Sequence, residues 1–239
     1  APTGSGLGSS STLVVALIGA FVEMLKLPLG EYDIARYAYE IERIDLNLQG
    51  GKQDQYAATF GGFNYMEFFK DDKTIVNPLR VKADYIFELE KNIVLFYTSK
   101  SRESARIIQE QVDNVRSQNQ TSINAMHQIK AQSVMMKEAL IKGELQKIGE
   151  LFDFGHQHKK NMASKISNST LDKIYETAKA AGATSGKISG AGGGGFMIFY
   201  CPGTTRYDVI RSLQAFEGKT IPFLFTERGL SHWTGIKNK

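Results

Sequence analysis

The sequence predicts an α+β protein organised as two domains. Residues 1–98 alternate between helical and strand patterns, whereas residues 101–161 have the spacing of helices with polar outer faces. A glycine run at residues 192–195 then leads into an apolar strand near the end of the chain. The 239 residues allow one large domain or two modest ones, and the change of pattern after residue 98 leads us to expect two, 1–100 and 101–239.

The first domain begins with two predicted helices. An apolar stretch with small residues predicts a buried helix over residues 13–26, ended by a turn that contains proline and glycine. Apolar side chains at helical spacing predict a second helix over residues 31–44. Gly50 and Gly51 interrupt the pattern, so Asp54 falls on a loop or on the first turn of the next element.

The remaining elements follow from alternation, β-branched content and helical spacing. In the first domain the predicted strands cover residues 63–68, 74–76 and 92–98. The second domain is predicted to hold about three helices in residues 101–161, helices at 170–181 and 207–216, and strands at 196–201 and 220–226.

Composition narrows the classes of function. The chain is 42% hydrophobic and 23% charged, which is ordinary for a globular protein, and no apolar run approaches the roughly 18–20 residues of a membrane span. Cys201 is the single cysteine, which excludes an intrachain disulfide and favours a reducing, cytoplasmic location. The net charge of +4 is spread along the chain, so we expect neither a nucleic-acid nor a membrane partner.

Residues 2–12 are rich in glycine and serine and run directly into the first helix. Such a loop exposes backbone N–H groups at the positive end of a helix dipole, which is a general arrangement for binding phosphate. The loop has no lysine and is therefore not a Walker A loop, and Ser9 replaces the third glycine of a dinucleotide fingerprint. The alternative is a flexible turn before a helix.

Three segments together resemble the motifs of the GHMP small-molecule kinases. Residues 2–10 resemble the second motif, P-x-x-x-G-L-[GS]-S-S, and residues 50–55 resemble the G-x-x-D-Q segment that carries the catalytic aspartate. Residues 189–196 resemble the third motif, the G-A-G-G-G loop. By these motifs the chain is identified as a member of the superfamily, which implies a ribosomal S5 domain 2-like N-terminal domain and a helix-rich, ferredoxin-like C-terminal domain. Members carry a further segment ahead of this loop, so we expect the chain to lack the first part of its N-terminal domain.

The resemblance implies ATP and Mg²⁺ as cofactors. The residues that it assigns to the ATP phosphates are Gly4, Ser5, Gly6, Leu7, Gly8, Ser9, Ser10 and Ser11. Ser10 also matches the serine whose hydroxyl reaches Mg²⁺, and Glu42 matches the carboxylate ligand. Glu40 is the alternative, although two residues along a helix it faces elsewhere. A hydroxyl, a carboxylate and phosphate oxygens are hard ligands of the kind that Mg²⁺ prefers.

The resemblance also assigns residues to the acceptor. Asp54 matches the catalytic aspartate, which either positions the acceptor hydroxyl or removes its proton as a general base. Gly190, Gly192 and Gly193 are expected close to the substrate, since glycine permits close backbone approach. Lys52 stands where many members have an apolar residue; it could reach an anionic group of the substrate or the γ-phosphate, and a solvated lysine is the alternative.

Residues 51–64 resemble the branch of D-glycero-D-manno-heptose 7-phosphate kinases, with fucokinase-type enzymes as relatives. The implied reaction moves the γ-phosphate of ATP to the anomeric hydroxyl of that sugar, for nucleotide-activated heptose in bacterial surface polysaccharide. The alternatives are a fucokinase- or galactokinase-like kinase of another sugar, a non-catalytic nucleotide-binding sensor, and a decarboxylase of the mevalonate-diphosphate branch. The expected partners are the sugar phosphate and ATP, and a homodimer is left open.

The histidines and the tryptophan form no predicted site. His127, His156, His158 and His232 are expected on the surface or in packing. One cysteine and scattered histidines lack the spacing of zinc ligands, and Trp233 is expected to pack.

Overall fold

The structure is a computed structural model that describes residues 5–99 and 104–235. These residues form the mixture of helices and antiparallel strands that the sequence predicts. The described chain divides into two compact units, a smaller one of residues 8–78 and 226–235 and a larger one of residues 5–7 and 79–225. The domain boundary at residue 100 stays a prediction.

The smaller unit combines three helices with a hairpin. Its elements are α1 (Ser9–Leu25), α2 (Glu31–Glu40), a π-helical turn (Ile41–Asp45), α3 (Gln53–Phe60), β1 (Asn64–Phe68) and β2 (Thr74–Pro78). The two strands pair antiparallel, with Asn64 opposite Pro78. The predicted helices and the hairpin are therefore present, and Asp54 lies on the first turn of α3.

Helix α1 is buried on one face only. Val15 and Val22 pack with Ile34 and Ala38 of α2 in an apolar cluster. The opposite face carries Leu13, Leu17, Phe21 and Met24, whose exposed fractions lie between 53% and 65%. The expectation of a fully buried helix is wrong for the described chain, because its apolar side chains surround the helix while packing covers one side.

The end of the described chain returns to the smaller unit. Leu230 N donates a hydrogen bond to Thr59 O at 2.9 Å, and a Cβ built on Gly19 would lie 2.7 Å from the Leu230 side chain. Gly61 and Gly229 cross so closely that a Cβ on either would overlap the backbone of the other. We call residues 226–235 the return segment. Trp233, expected to pack, is 79% exposed, so that expectation is wrong.

The larger unit is built on a four-stranded antiparallel sheet. Its strands are β3 (Ile93–Tyr97), β4 (Ser185–Ile188), β5 (Phe196–Tyr200) and β6 (Lys219–Thr220), in the spatial order β4-β5-β3-β6. Its helices are α4 (Ala83–Asn92), α5 (Ser104–Arg116), α6 (Gln120–Lys142), α7 (Leu145–Lys160), α8 (Ser169–Ala180) and α9 (Arg206–Leu213). The strand order, with α8 before β4 and α9 after β5, is that of a ferredoxin-like fold.

Apolar side chains of α8 and α9 cover one face of this sheet. Ile174 and Leu213 pack there against Phe96 and Phe199 in an apolar cluster. Cys201 is buried in the same cluster, and burial raises the pKa of its thiol to about 12. None of the helices in the described ranges is both long enough and apolar enough to cross a membrane.

Four elements differ from the sequence predictions. Helices α3 and α4 and strand β4 were not predicted as elements. The strand predicted over residues 220–226 is wrong beyond Thr220, where β6 ends. Ile221 N still donates to Leu95 O at 2.8 Å, but Pro222 has no N–H group with which to continue the ladder.

Candidate active site

Three segments of the smaller unit meet at the carboxylate of Glu42, which is 1% exposed. Ser10 Oγ donates a hydrogen bond to Oε1, while Ser11 Oγ and Gln55 Nε2 donate to Oε2 at 2.6 and 2.5 Å. The Arg43 guanidinium lies 4.0 Å from Oε2. A buried carboxylate is tolerated only with such partners. Glu42 therefore links the start of α1, the π-helical turn and α3.

The partners of Glu42 keep it ionised. Burial by itself raises the pKa of this carboxyl, but hydrogen bonds from Ser10, Ser11 and Gln55, with the charge of Arg43, outweigh burial. The net effect lowers the pKa of Glu42 below its ordinary value. The group is consequently an anion at neutral pH.

The π-helical turn separates Glu42 from Glu40. Leu46 N donates to Ile41 O at 2.9 Å, the i to i+5 bond that defines such a turn, and π turns often occur at functional sites. Glu42 points into the smaller unit, whereas Glu40 forms an exposed ion pair with Arg36 at 3.2 Å. Of the two predicted metal carboxylates, Glu42 is thus the one joined to Ser10.

Asp54 lies next to the start of α1. A Cβ built on Gly8 would lie 3.4 Å from the Asp54 Cβ and Cγ atoms and 3.6 Å from Oδ1. Gly8 has φ +66°, a left-handed conformation that favours glycine. The Asp54 carboxylate therefore borders the loop at Gly8. Because the Asp54 side chain is exposed, a ligand can still reach it.

The N-terminus of α1 has the features of an anion site. Gly8 occupies the N-cap position and no side chain caps the helix there. The first turn contains no acidic residue that would repel an anion. Helix N–H groups without a side-chain cap, at the positive end of the dipole, are available to bind phosphate. Of the predicted phosphate residues, Gly4 lies outside the described residues.

Residues 5–7 pack in the larger unit against the glycine loop, which we define as residues 189–195. Phe196 N donates to Ser5 O at 3.1 Å, and Ser189 Oγ donates to Gly6 O at 2.9 Å. A Cβ on Gly195, which has φ +82°, would overlap Ser5 O. Glycine is therefore required at position 195 both for its backbone conformation and for space.

The glycine loop is also held in place by the end of α7 and by the segment that follows it. Gly193 N donates to Ile166 O at 2.7 Å, and a Cβ on Gly192 would lie 2.9 Å from Ile166 Cα. Lys159 Nζ donates to Gly190 O and, at 3.4 Å, to Ile188 O. These contacts explain why the loop is glycine-rich, while the substrate role of Gly190, Gly192 and Gly193 stays a prediction.

Lys52, predicted to reach an anionic group, has a protein partner. Its Nζ donates to the carboxylate of Asp72, in the turn between β1 and β2, and lies 4.8 Å from the centre of the Tyr39 ring. The Lys52 side chain is 21% exposed and that of Asp72 is 89% exposed. The Asp72 hydrogen bond raises the pKa of Lys52, and the same bond lowers the pKa of Asp72.

Two partners in the site were not predicted as functional residues. Gln55 entered the sequence analysis only as part of the aspartate motif, and Arg43 directly follows Glu42 in the sequence. Gln55 immediately follows Asp54 on α3, so its side chain takes a different direction and turns inward to Glu42. The sequence signal that could have identified Gln55 is its place directly after the predicted catalytic residue Asp54, since neighbouring side chains on a helix point in different directions.

Ser10 and Glu42 fit a magnesium ion by their chemistry. They supply hydroxyl and carboxylate oxygens in mutual contact. Within residues 5–99 and 104–235 no group of three or more His, Cys, Asp or Glu side chains could hold a metal. Such a site would rely on phosphate oxygens and water for its other ligands, as Mg²⁺ sites in kinases commonly do.

The histidines match the packing and surface roles expected of them. His156 is buried and stacks on Tyr175, with ring centroids 4.7 Å apart. Its burial, with the nearby charge of Lys160, lowers its pKa to about 4. His232 contacts Glu23 at 3.3 Å in the return segment.

Two family models match the chain. One describes the N-terminal domain of GHMP kinases and matches residues 1–62; the other describes the C-terminal domain of GHMP kinases and matches residues 136–219. The match to the N-terminal domain model includes Glu42 and Asp54 of the candidate site.

Three known proteins illustrate the similarity. The chain is 47% identical to D-glycero-alpha-D-manno-heptose 7-phosphate kinase of Campylobacter jejuni, over 97% of this chain and 68% of that protein. It is 29% identical to mevalonate kinase of Pyrococcus horikoshii, over 86% of this chain and 58% of that protein. A crystal structure of D-glycero-D-manno-heptose 1-phosphate kinase from Bacteroides thetaiotaomicron superposes with a TM-score of 0.77 at 41% identity, covering 98% of this chain and 66% of the other. The chain therefore spans about two thirds of the length of the heptose kinases it matches.

Proposed function

The chain belongs to the GHMP kinase family, and from this membership we propose that it transfers the γ-phosphate of ATP to a hydroxyl group of a sugar phosphate. The observation that carries the proposal is the arrangement in the smaller unit. Ser10 and Glu42 are in contact, and Asp54 borders Gly8 at the start of the same helix. A phosphate site, metal ligands and an acidic group thus surround one helix N-terminus.

The phosphates of ATP would bind at the start of α1. The N–H groups of the first turn of α1 would donate to their oxygens, and the helix dipole would offset their charge. Ser10 and Glu42 would hold Mg²⁺, which would supply positive charge to neutralise the negative charge that develops during transfer. Ser11 and Gln55 would orient Glu42 for this role through their hydrogen bonds.

Asp54 would act on the acceptor hydroxyl. The acceptor oxygen attacks the γ-phosphorus in line, the bond from phosphorus to the ADP oxygen breaks, and the hydroxyl proton is released to Asp54 or to the transferred phosphoryl group. Phosphoryl transfer depends mainly on positioning and charge stabilisation, so Asp54 contributes by fixing the hydroxyl whether or not it removes the proton first.

The acceptor that we propose is D-glycero-D-manno-heptose 7-phosphate, phosphorylated at the anomeric hydroxyl. Support comes from the 47% identical relative, whose name gives a heptose 7-phosphate kinase. The similar crystal structure is named for a heptose 1-phosphate kinase, which makes the position of the new phosphate a point for experiment. The product would serve nucleotide-activated heptose synthesis for bacterial surface polysaccharide, in the cytoplasm.

The test measures ADP release by the complete protein with heptose 7-phosphate, free heptose, fucose, galactose and mevalonate. We expect turnover with heptose 7-phosphate and a new anomeric phosphate signal in the ³¹P NMR spectrum of the product. Asp54→Asn should lower kcat by about a hundredfold or more, as expected when a group acting on the transferred proton is lost. The matched control is Asp84→Asn, an exposed aspartate in the first turn of α4.

Other outcomes would change the proposal. Turnover with fucose or galactose in preference to the heptose phosphate would move the chain to another sugar kinase. ATP binding without turnover on any acceptor would indicate a nucleotide-binding sensor. Equal activity of Asp54→Asn and the unchanged protein would remove Asp54 from the mechanism.

A further inference from the structure

Lys52 is a cation held in position beside the candidate site. The Tyr39 ring lies under its ammonium group at 4.8 Å, and its side chain is 21% exposed. An ammonium over an aromatic ring is stabilised by the ring quadrupole, and a side chain restrained in this way loses little further entropy when it binds an anion. Lys52 is therefore prepared to receive a negative group.

The group that Lys52 now contacts is weakly held. Asp72 lies at the tip of the β1–β2 hairpin, and its side chain is 89% exposed. An ion pair with so exposed a partner contributes little to stability, because water solvates the Asp72 carboxylate once it separates from Lys52. Asp72 can thus leave Lys52 with a small loss in free energy.

The position of Lys52 connects it with the acceptor. It immediately precedes α3, whose first turn carries Asp54. Gly51 adds no side chain on the other flank, and a Cβ built there would meet no atom within 4 Å. Lys52 and Asp54 therefore lie at the same end of α3, two residues apart in the chain.

We propose that Lys52 binds the phosphate group already present on the sugar substrate, and that Asp72 occupies this anion site when the sugar phosphate is absent. This role of Lys52 rests on the proposed function, because it requires that the substrate of the chain is a sugar phosphate. A phosphate monoester carries more negative charge than a carboxylate and offers three acceptor oxygens. It would displace Asp72 and release the hairpin tip.

The exchange has a kinetic signature. Asp72 acts as an intramolecular competitor, so it raises the KM for a phosphorylated sugar without contributing to the chemical step. A neutral sugar has no group to exchange with Asp72 and is insensitive to it. Lys52 would thereby select phosphorylated acceptors over free sugars, and Asp72 would reduce the size of that preference.

The test compares variants of the complete protein in steady-state assays with heptose 7-phosphate and with free heptose. Asp72→Asn should lower the KM for heptose 7-phosphate severalfold at unchanged kcat. Asparagine suits this position because Asp72 has φ +62°, which Asn tolerates better than most residues. Lys52→Met should raise the same KM about tenfold or more, as for loss of a charge-assisted hydrogen bond.

The controls isolate the anion exchange. Asp71→Asn removes a neighbouring exposed charge from the same turn and should leave the KM unchanged. Lys52→Arg should restore most of the affinity, and calorimetric titration with heptose 7-phosphate in the absence of ATP should give the same order of affinities. Unchanged ATP affinity in Lys52→Met would show that the variant is folded.

The possible failures are distinct. If no variant, nor the unchanged protein, phosphorylates any sugar, the proposed function fails. If heptose 7-phosphate is phosphorylated but Lys52→Met and Asp72→Asn leave its KM unaltered, the anion site is wrong and the proposed function stands. An equal effect of Lys52→Met on free heptose would also overturn the anion site, because it would indicate general damage to α3.

Discussion

Glu42 is the side chain that joins the segments of the candidate site through its hydrogen bonds. Its two carboxylate oxygens accept from Ser10, Ser11 and Gln55, so one residue fixes the start of α1 relative to α3. Each donor is matched to a lone pair of the anion, and a neutral group of the same shape cannot satisfy all of them.

Glu42→Gln should therefore destabilise the chain by roughly 2–4 kcal/mol, because the new amide places N–H groups against existing donors. It should also weaken Mg²⁺-dependent binding of ATP. Thermal and urea unfolding give the first quantity, and ATP titration with and without Mg²⁺ gives the second. Glu40→Gln, two residues earlier in an exposed ion pair, should change stability by less than about 0.5 kcal/mol.

The same comparison has a defined pH dependence. The pKa of Glu42 is lower in the folded chain than its ordinary value of 4.5, so the unfolded chain takes up the proton first as pH falls. The stabilisation by Glu42 is complete above that value and is lost as pH falls through the lower, folded pKa. If the difference in unfolding free energy between the unchanged protein and Glu42→Gln stayed constant down to strongly acidic pH, this account would be contradicted.

At the scale of elements, the α1 loop depends on the backbone of Gly8. Two helices of the smaller unit begin after a glycine N-cap, Gly8 at φ +66° and Gly30 at φ −89°. Only the first requires the left-handed conformation, and only the first borders Asp54.

Gly8→Ala should cost about 1 kcal/mol or more in stability, because alanine is strained in the left-handed region. Its methyl group would contact Asp54 at 3.4 Å, and we expect weaker ATP binding and a lower kcat. Gly30→Ala is the matched control and should be close to neutral in stability, ATP affinity and kcat. Comparable losses in both variants would mean that glycine flexibility, rather than the left-handed conformation, matters at these positions.

Sequence periodicity predicted most elements but not their irregular parts. Helices α1 and α2 follow from apolar spacing, whereas α3 was not predicted as a helix. Of the two positions predicted for Asp54, a loop or a first turn, the structure has the first turn. The π-helical turn that directs Glu42 inward has no periodic signal, because it ends the helix at Asp45 and no later helical residues record the change of phase. The predicted strand beyond Thr220 failed because a backbone donor is missing at Pro222, and apolar content does not report that absence.

At the scale of the whole molecule, the smaller unit is made from two distant parts of the chain. The return segment crosses at Gly61 and Gly229, and Leu230 covers Gly19 of α1. The sequence motifs predicted the family and the residues around the phosphate loop. They could not predict this crossing, because nothing local in the sequence links a glycine pair at 61–62 to a single glycine at 229.

Gly229→Ala should lower the melting temperature by several degrees, since the added methyl would overlap the Thr59 carbonyl and the Gly61 backbone. Gly235→Ala is the matched control in the same segment, where a Cβ would meet no atom within 4 Å. Melting followed by circular dichroism measures both. Equal melting temperatures of the two variants would show that the crossing is loose.

Because the thiol of Cys201 is buried, a fluorescent probe can be attached selectively to a cysteine introduced in the β1–β2 hairpin. A cysteine with a raised pKa and no exposed surface resists alkylation, and it is the single cysteine among these 239 residues. A maleimide fluorophore would therefore label a cysteine introduced at Asp71 and leave the native thiol unreacted. Its emission and anisotropy would then record whether the tip of the hairpin becomes more mobile as sugar phosphate is titrated in, without any need for turnover.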